Sequence, residues 1–360
     1  MKHFTAGSPA SWTAEDLEAD RRWVVELDDA SRHDLIVAIR NTQEPTKPLL
    51  EYQRSDFDLG SAFDPLTRAF NEAKHGRGIA LLRGLPRDEV SEEEFALLTW
   101  AIGLHFGVAR PQGKSTQYLS AVRDVGVDYR SAGGRGYSSN AELDFHIDGV
   151  DVVALTCFNP ARTGGTSMVS SSLTAHDRVV QERPDLAEIL CEPFYFSRQS
   201  EEAPDEEPFY TNPVFDAVDG LFFGKWNRNR IISAQNIDGV PSLTPGQRDA
   251  MEFMDAVLRR PDVMHTMVLE PGDMQLLSSF TTLHSRTQFV DFDAPEKKRV
   301  LYRLWLTPPD APKLPNSWKP LFRSVSERTV RGGIIGHHYD ETCRAFDARQ
   351  AAEHGMRVGN

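Results

Sequence analysis

Two histidines and an aspartate are the residues of this chain whose types and spacing promise chemistry: His146-Ile147-Asp148, and His284 far downstream. Two imidazoles and one carboxylate form a facial set that holds a first-row metal and leaves three coordination positions open. A mononuclear iron(II) centre uses such positions for a cosubstrate and dioxygen. Neutral imidazole and carboxylate suit iron(II), and the absence of cysteine ligands disfavours structural zinc. Beyond His284 lies a basic segment with Arg299 and Arg303. A guanidinium grips a carboxylate through two hydrogen bonds, which suits a dicarboxylate such as 2-oxoglutarate.

The three-residue motif is weak by itself. With 11 histidines in an aspartate-rich chain, chance supplies about one H-x-D match. A second match exists at His338-Tyr339-Asp340, but only His354 follows it. It lacks the long downstream half that a closed sheet needs, so a structural role is expected there.

The metal set needs two elements. In a strand, alternate side chains share a face, so residues 142, 144, 146 and 148 are expected to point one way. His284 must come from a distant strand, which a jelly-roll supplies. The rest of the sequence fits such a scaffold. Thr13 with Asp16, and Ser91 with Glu94, read as capping boxes ahead of apolar helical runs, the first reaching Leu27. Strands are expected at 78–83, 118–122, 143–148, 152–158, 265–269, 274–277 and 299–306. Gly133-Gly134-Arg135-Gly136 marks a loop, and the acidic stretch Ser200 to Pro208 a surface loop or a lid. Residues 172–190 predict helix broken at Pro184, and Thr244-Pro245 opens another helix.

The order predicts one α+β domain over 1–360. Residues 1–75 are mainly helical. Residues 76–310 form a double-stranded β-helix (a jelly-roll, cupin-like core) with flanking helices and a helical insert between the metal motifs. Residues 311–360 form an extension that packs on the sheet or on a neighbouring subunit. The formal net charge of −13 argues against a nucleic-acid partner and weakly against an anionic membrane. No apolar run has the length of a signal peptide or a membrane span. Cys157, Cys191 and Cys343 are few and far apart, as expected for reduced thiols in a cytoplasm. A homo-oligomer is allowed.

Taken together, several blocks resemble the taurine dioxygenase family of iron(II)/2-oxoglutarate oxygenases, and in places its clavaminate synthase branch. They are Gly78-Ile-Ala-Leu-Leu-Arg-Gly-Leu-Pro86, Leu143-Asp-Phe-His-Ile-Asp148, Gly164-Gly165-Thr166-Ser167-Met168-Val169, Pro271-Gly272-Asp273, His284 to Phe292, and Arg299 to Leu306. The resemblance covers roughly residues 70 to 310. It implies His146, Asp148 and His284 as iron ligands and Arg299 as partner of the far 2-oxoglutarate carboxylate. Arg303, on the same strand face, would reach the substrate anion or the cosubstrate. A hydroxyl after the paired glycines also holds 2-oxoglutarate in relatives; Ser167 is favoured here over Thr166. Dioxygen completes the set, with succinate and carbon dioxide as coproducts.

Halogenating relatives lack the carboxylate that Asp148 supplies, so hydroxylation is expected. Desaturation, epoxidation and ring closure use the same site and stay open. Glu142 sits four residues before His146, where taurine dioxygenase-like relatives place a substrate-facing polar residue, and the resemblance thus implies a small amino-acid-like or carboxylate-bearing substrate. Phe222, Phe223 and Trp226 either wall that substrate or pack the core. Two readings from other classes remain: a metal-dependent hydrolase with zinc-bound water, and a noncatalytic barrel that binds a small molecule.

Overall fold

The computed structural model describes residues 7–127 and 136–359. Gly133, Gly134 and Arg135 of the expected glycine-rich loop lie outside the described residues. The capping boxes form where the sequence places them. Ser91 and Glu94 start helix Glu92–Phe106, and Thr244 with Gln247 starts helix Pro245–Leu258. Each such cap is worth about 1 kcal/mol.

The first capping box also forms, but its helix stops at Ala19 instead of running to Leu27. Asp20 caps a short 3-10 turn, and Val24–Glu26 then pairs in parallel with Ile79–Arg83. The β-branched Val24 and Val25 suit a pleated, half-buried surface better than a helix.

Two sheets carry the site. The larger has seven strands. Its order runs Val24–Glu26, Ile79–Arg83, Met274–Ser278, Val152–Asn159, Val300–Thr307 and Val108–Ala109, with Leu119–Val122 also paired to 300–307. Every pairing in it is antiparallel except the first. The smaller sheet is Met264–Met267, Ser167–Ser171 and Thr282–Arg286, all antiparallel.

Strand parity sorts the large sheet's side chains into two cores. Ala80, Leu82, Ala154, Leu276, Tyr302 and Leu304 pack outward with residues of the helices Asp29–Thr42, Phe63–His75 and Glu92–Phe106. Ile79, Leu81, Val153, Leu277, Leu301 and Trp305 pack inward, where they share a core with Val169 of the smaller sheet. The inner faces of the two sheets therefore meet.

A third core lies in the insert between the two metal motifs. Helices Ser172–Glu182, Pro184–Leu190 and Pro245–Leu258 pack there around Phe215, Phe223 and Trp226. Phe223 stacks edge-on with Phe280 and Trp318 at 5.2 and 5.7 Å. It belongs to this core and not to a substrate wall, a correction of that alternative. Its ring is only 2% exposed, and core burial of that kind stabilises by about 1.5–3 kcal/mol.

The C-terminal extension packs on its own chain. Phe346 of helix Glu341–Glu353 meets Trp100 and Tyr118 at 5.6 and 5.3 Å, and Asp347 pairs with the buried Arg110. Arg331 pairs with Asp151 at 2.5 Å, both buried, and ties the extension to the strand that follows Asp148. The second H-x-D match is structural: Asp340 accepts from Cys343 N as the cap of that helix. Cys157 and Cys343 are buried and Cys191 is exposed, all as free thiols. No helix of the described residues is long and apolar enough to cross a membrane.

Candidate metal centre

His284 sits in the middle of strand Thr282–Arg286, at the edge of the smaller sheet. That edge is taken by the segment carrying His146. The N–H of His146 donates to His284 O and the N–H of His284 donates to His146 O, both at 3.0 Å. Leu143 N donates to Arg286 O at 3.0 Å, one residue out of that register. The two imidazoles therefore stand directly opposite, with ring centroids 4.3 Å apart.

The expected strand over 143–148 does not form as such. Only His146 makes bridge pairings, one with His284 and one with Asn227, and Ile147 N donates to Trp226 O at 3.1 Å. The segment is divided between two neighbours, so the alternation assumed back to residue 142 does not hold. Glu142 is exposed and pairs with Arg259 at 2.8 Å. It is not among the cavity-lining residues, which corrects the substrate-facing role expected for it.

Asp148 is buried and held from the large sheet. Trp305 Nε1 donates to its Oδ2 at 2.9 Å, and Arg303 Nη1 approaches the same oxygen at 3.4 Å. Burial alone would raise its pKa, but Arg303 and the two imidazoles outweigh that and hold the carboxyl below its ordinary value. Burial pushes both histidines down, His284 to about 3. At neutral pH the set is therefore two neutral imidazoles and one carboxylate, the protonation states that ligate a metal. His146 Nδ1 lies 2.8 Å from Asp144 O. A carbonyl only accepts, so Nδ1 carries the proton and Nε2 is left as the donor atom. The ligand atoms of His146, Asp148 and His284 lie within 4.8 Å of one another, and no other such group occurs among the described residues.

These three side chains open into a cavity of about 180 Å³, open to solvent at its mouth. Arg299, Leu301, Arg303 and Trp305 line it from one strand face, every second residue. Arg303 is spent on Gln112 (2.7 Å from its Nε) and Asp148. Arg299 is different. It is buried, stacks 4.9 Å over Phe289, and its Nη1 has no hydrogen-bond partner. Among the described residues no carboxylate forms an ion pair with its side chain. Burial lowers its pKa to about 10, so it is still a cation at neutral pH. By contrast Arg331, equally buried, is saturated by Asp151 and two backbone carbonyls.

The paired glycines make room for Arg299. Gly164 and Gly165 have φ of +74° and +70°, and a Cβ on Gly165 would stand 3.2 Å from Arg299 Nε. Ser167 lines the cavity, and its hydroxyl exchanges hydrogen bonds with Gln275 at 3.0 and 3.1 Å. Thr166 does not line it. Its backbone pairs with Thr287, the N–H donating to Thr287 Oγ1 and the carbonyl accepting from Thr287 N, both at 3.0 Å.

The model of the taurine catabolism dioxygenase TauD, TfdA family matches residues 43–305. This chain belongs to that family. It is an iron(II)- and 2-oxoglutarate-dependent dioxygenase, which removes the hydrolase and binding-barrel readings. FR-33289 synthase of Streptomyces rubellomurinus is 27% identical over 309 residues, 85% of this chain and 91% of the relative. A uridine-5'-phosphate dioxygenase of an Amycolatopsis species is 27% identical over 176 residues, 47% of this chain and 62% of the relative. The structure of asparagine oxygenase with Fe(II), 2S,3S-3-hydroxyasparagine and succinate matches with a TM-score of 0.60 at 18% identity, covering 79% of this chain and 93% of that one. The two share a fold.

The sequence reading missed Trp305 and Gln112, which hold the metal-side carboxylate and Arg303. Trp305 had a signal, since it lies two residues beyond Arg303 on the same strand face. Gln112 had none.

Proposed function

We propose that the enzyme hydroxylates a small, acid-bearing substrate, with His146, Asp148 and His284 holding iron and Arg299 with Ser167 anchoring 2-oxoglutarate. The observation that carries this reading is the buried guanidinium of Arg299, unpartnered at Nη1, in the same cavity as the triad. An uncompensated buried cation costs several kcal/mol, and a carboxylate of the cosubstrate offsets that cost. Thr166 is left to the turn. Arg303 positions Asp148, and any role toward the substrate acid follows from that place in the cavity wall.

Iron and 2-oxoglutarate supply the oxidising power, with release of succinate and carbon dioxide. The protein's own residues orient and protect. Trp305 and Arg303 hold the Asp148 carboxylate charged and in place, and Asp144 O fixes the His146 tautomer. Leu155, Leu269 and Leu301 line the cavity with apolar surface that limits water. The retained carboxylate of Asp148 supports hydroxylation over halogenation.

Support for a small substrate comes from the relatives, whose names give uridine-5'-phosphate and asparagine as their compounds. The same reading carries the finer fold assignment. The two sheets, antiparallel apart from the edge strand Val24–Glu26 and joined across their inner faces by the Ser167–Gln275 bonds, are read as the halves of a double-stranded β-helix, or jelly-roll.

The test is the visible charge-transfer band of the anaerobic complex with iron(II) and 2-oxoglutarate, followed by succinate release against a panel of small acids. The band is expected with the wild type and not with His146→Ala. Turnover only with neutral, apolar compounds would overturn the substrate class.

A further inference from the structure

The outer wall of the cavity holds a lysine for which the cofactor chemistry has no use. Lys225 is 2% exposed, yet it lines the cavity. It lies at the end of the apolar run Leu221–Gly224, two residues before Asn227, the bridge partner of His146. Its ammonium donates to the Tyr210 hydroxyl at 2.7 Å and sits 3.5 Å over the Phe196 ring and 4.1 Å over Tyr210. Among the described residues no carboxylate pairs with it.

Two arginines line the same wall, Arg198 and Arg230. Each meets an acid: Arg230 meets Glu201 at 3.1 Å, and Arg198 meets Glu206 at 3.5 Å, an acid it shares with Arg323 at 3.1 Å. Among these basic groups Lys225 is the one with no carboxylate partner among the described residues, and it is the most buried. Burial, then Arg230 and Arg198, hold the Lys225 pKa well below the ordinary lysine range. A buried ammonium in such company is costly unless an anion joins it.

We propose that Lys225 and Tyr210, in the field of Arg198 and Arg230, form an oxyanion subsite for a phosphate or phosphonate group of the substrate. An ammonium with three donors and no planar fork suits a group that presents several oxygens better than it suits a carboxylate. At neutral pH such a group carries between one and two negative charges, enough to compensate a protonated Lys225. The pairing of Trp226 and Asn227 with the His146 segment puts this subsite on the chain that also frames the metal, so a bound anion leaves the rest of the substrate near the reacting centre. The proposal rests on the acid-bearing substrate class argued above.

Calorimetric titration of the metal-free protein with inorganic phosphate, methylphosphonate and acetate tests it. Phosphate and methylphosphonate are expected to bind and acetate to bind at least about tenfold more weakly. Lys225→Met should weaken phosphate by about tenfold or more, and Tyr210→Phe by a smaller factor, so that a folding failure of one variant leaves the other as a test. Unchanged phosphate affinity in the folded variants, or acetate binding as tight as phosphate, would overturn the subsite. Arg299→Met separates the two readings. It should leave phosphate affinity as in the wild type while losing 2-oxoglutarate; loss of phosphate in that variant alone would move the anion to Arg299 and also sink the proposal.

Discussion

The two ends of the cavity are built differently. The inner end takes His284, Ser167, Gln275, Arg303 and Trp305 from regular strands of two facing sheets. The outer end takes Arg198, Glu201, Glu206, Lys225 and Arg230 from a hairpin loop, a strand end and a seven-residue helix of the insert. At the inner end the charged groups are braced by neighbours and one guanidinium is left open. At the outer end the arginines are paired and one ammonium is left open. His284 and the groups that brace Asp148 sit on strands, His146 and Asp148 sit on an irregular segment held between two neighbours, and the proposed anion subsite sits on the insert.

The sharpest way to break this comparison is at the metal. His284→Ala should abolish the iron(II)–2-oxoglutarate band and reduce succinate release to background; a retained band would place the metal elsewhere. Arg299→Met should raise the KM for 2-oxoglutarate by about ten- to a hundredfold, equivalent to about 1.5–3 kcal/mol of charge-assisted hydrogen bonding. Steady-state kinetics with varied 2-oxoglutarate decides it, and an unchanged KM would remove Arg299 from the inner end.

Trp305→Phe removes the hydrogen bond to Asp148 and leaves an aromatic ring in the core. Iron(II) affinity should fall by about tenfold, the lower range for a group that orients a ligand. Ser167→Ala should raise the KM for 2-oxoglutarate by only about three- to tenfold, since Gln275 remains.

The smallest expected effect is at the outer end and has the opposite sign. Lys225→Met loses one hydrogen bond, worth about 1 kcal/mol, but removes a desolvated cation that costs more. Its denaturation midpoint should exceed that of the wild type at pH 7. The folded pKa of Lys225 is depressed, so the unfolded chain binds the extra proton at and below the ordinary lysine pKa. The advantage of the variant should therefore shrink as pH rises toward the unfolded value. A variant advantage that grows with pH would contradict the sign of that shift.

Much of the inner end was legible. The alternation from Arg299 to Trp305 and the paired glycines are local patterns that survive as a strand face and a positive-φ turn, and His146 and Asp148 converge although their segment is not a strand. The capping boxes at Ser91 and Thr244 were legible for the same reason. The strand expected over 143–148 failed because that segment shares its hydrogen bonds between two partners, and no local pattern encodes that. Glu142 was misplaced by the same error. The outer end was opaque, although a lone lysine beside the apolar Leu221-Phe222-Phe223 was a signal that could have been followed.

Ligand types, their spacing, the caps and the turn glycines are set by the chain itself, because backbone sterics and side-chain chemistry act over a few residues. Which groups meet was decided only by the tertiary structure. His284, 138 positions after His146 in the numbering, faces it through strand-edge pairing. Among the described residues no carboxylate pairs with the Arg299 side chain, while Arg331 is saturated by Asp151, because sheet packing brings a carboxylate to one and not to the other.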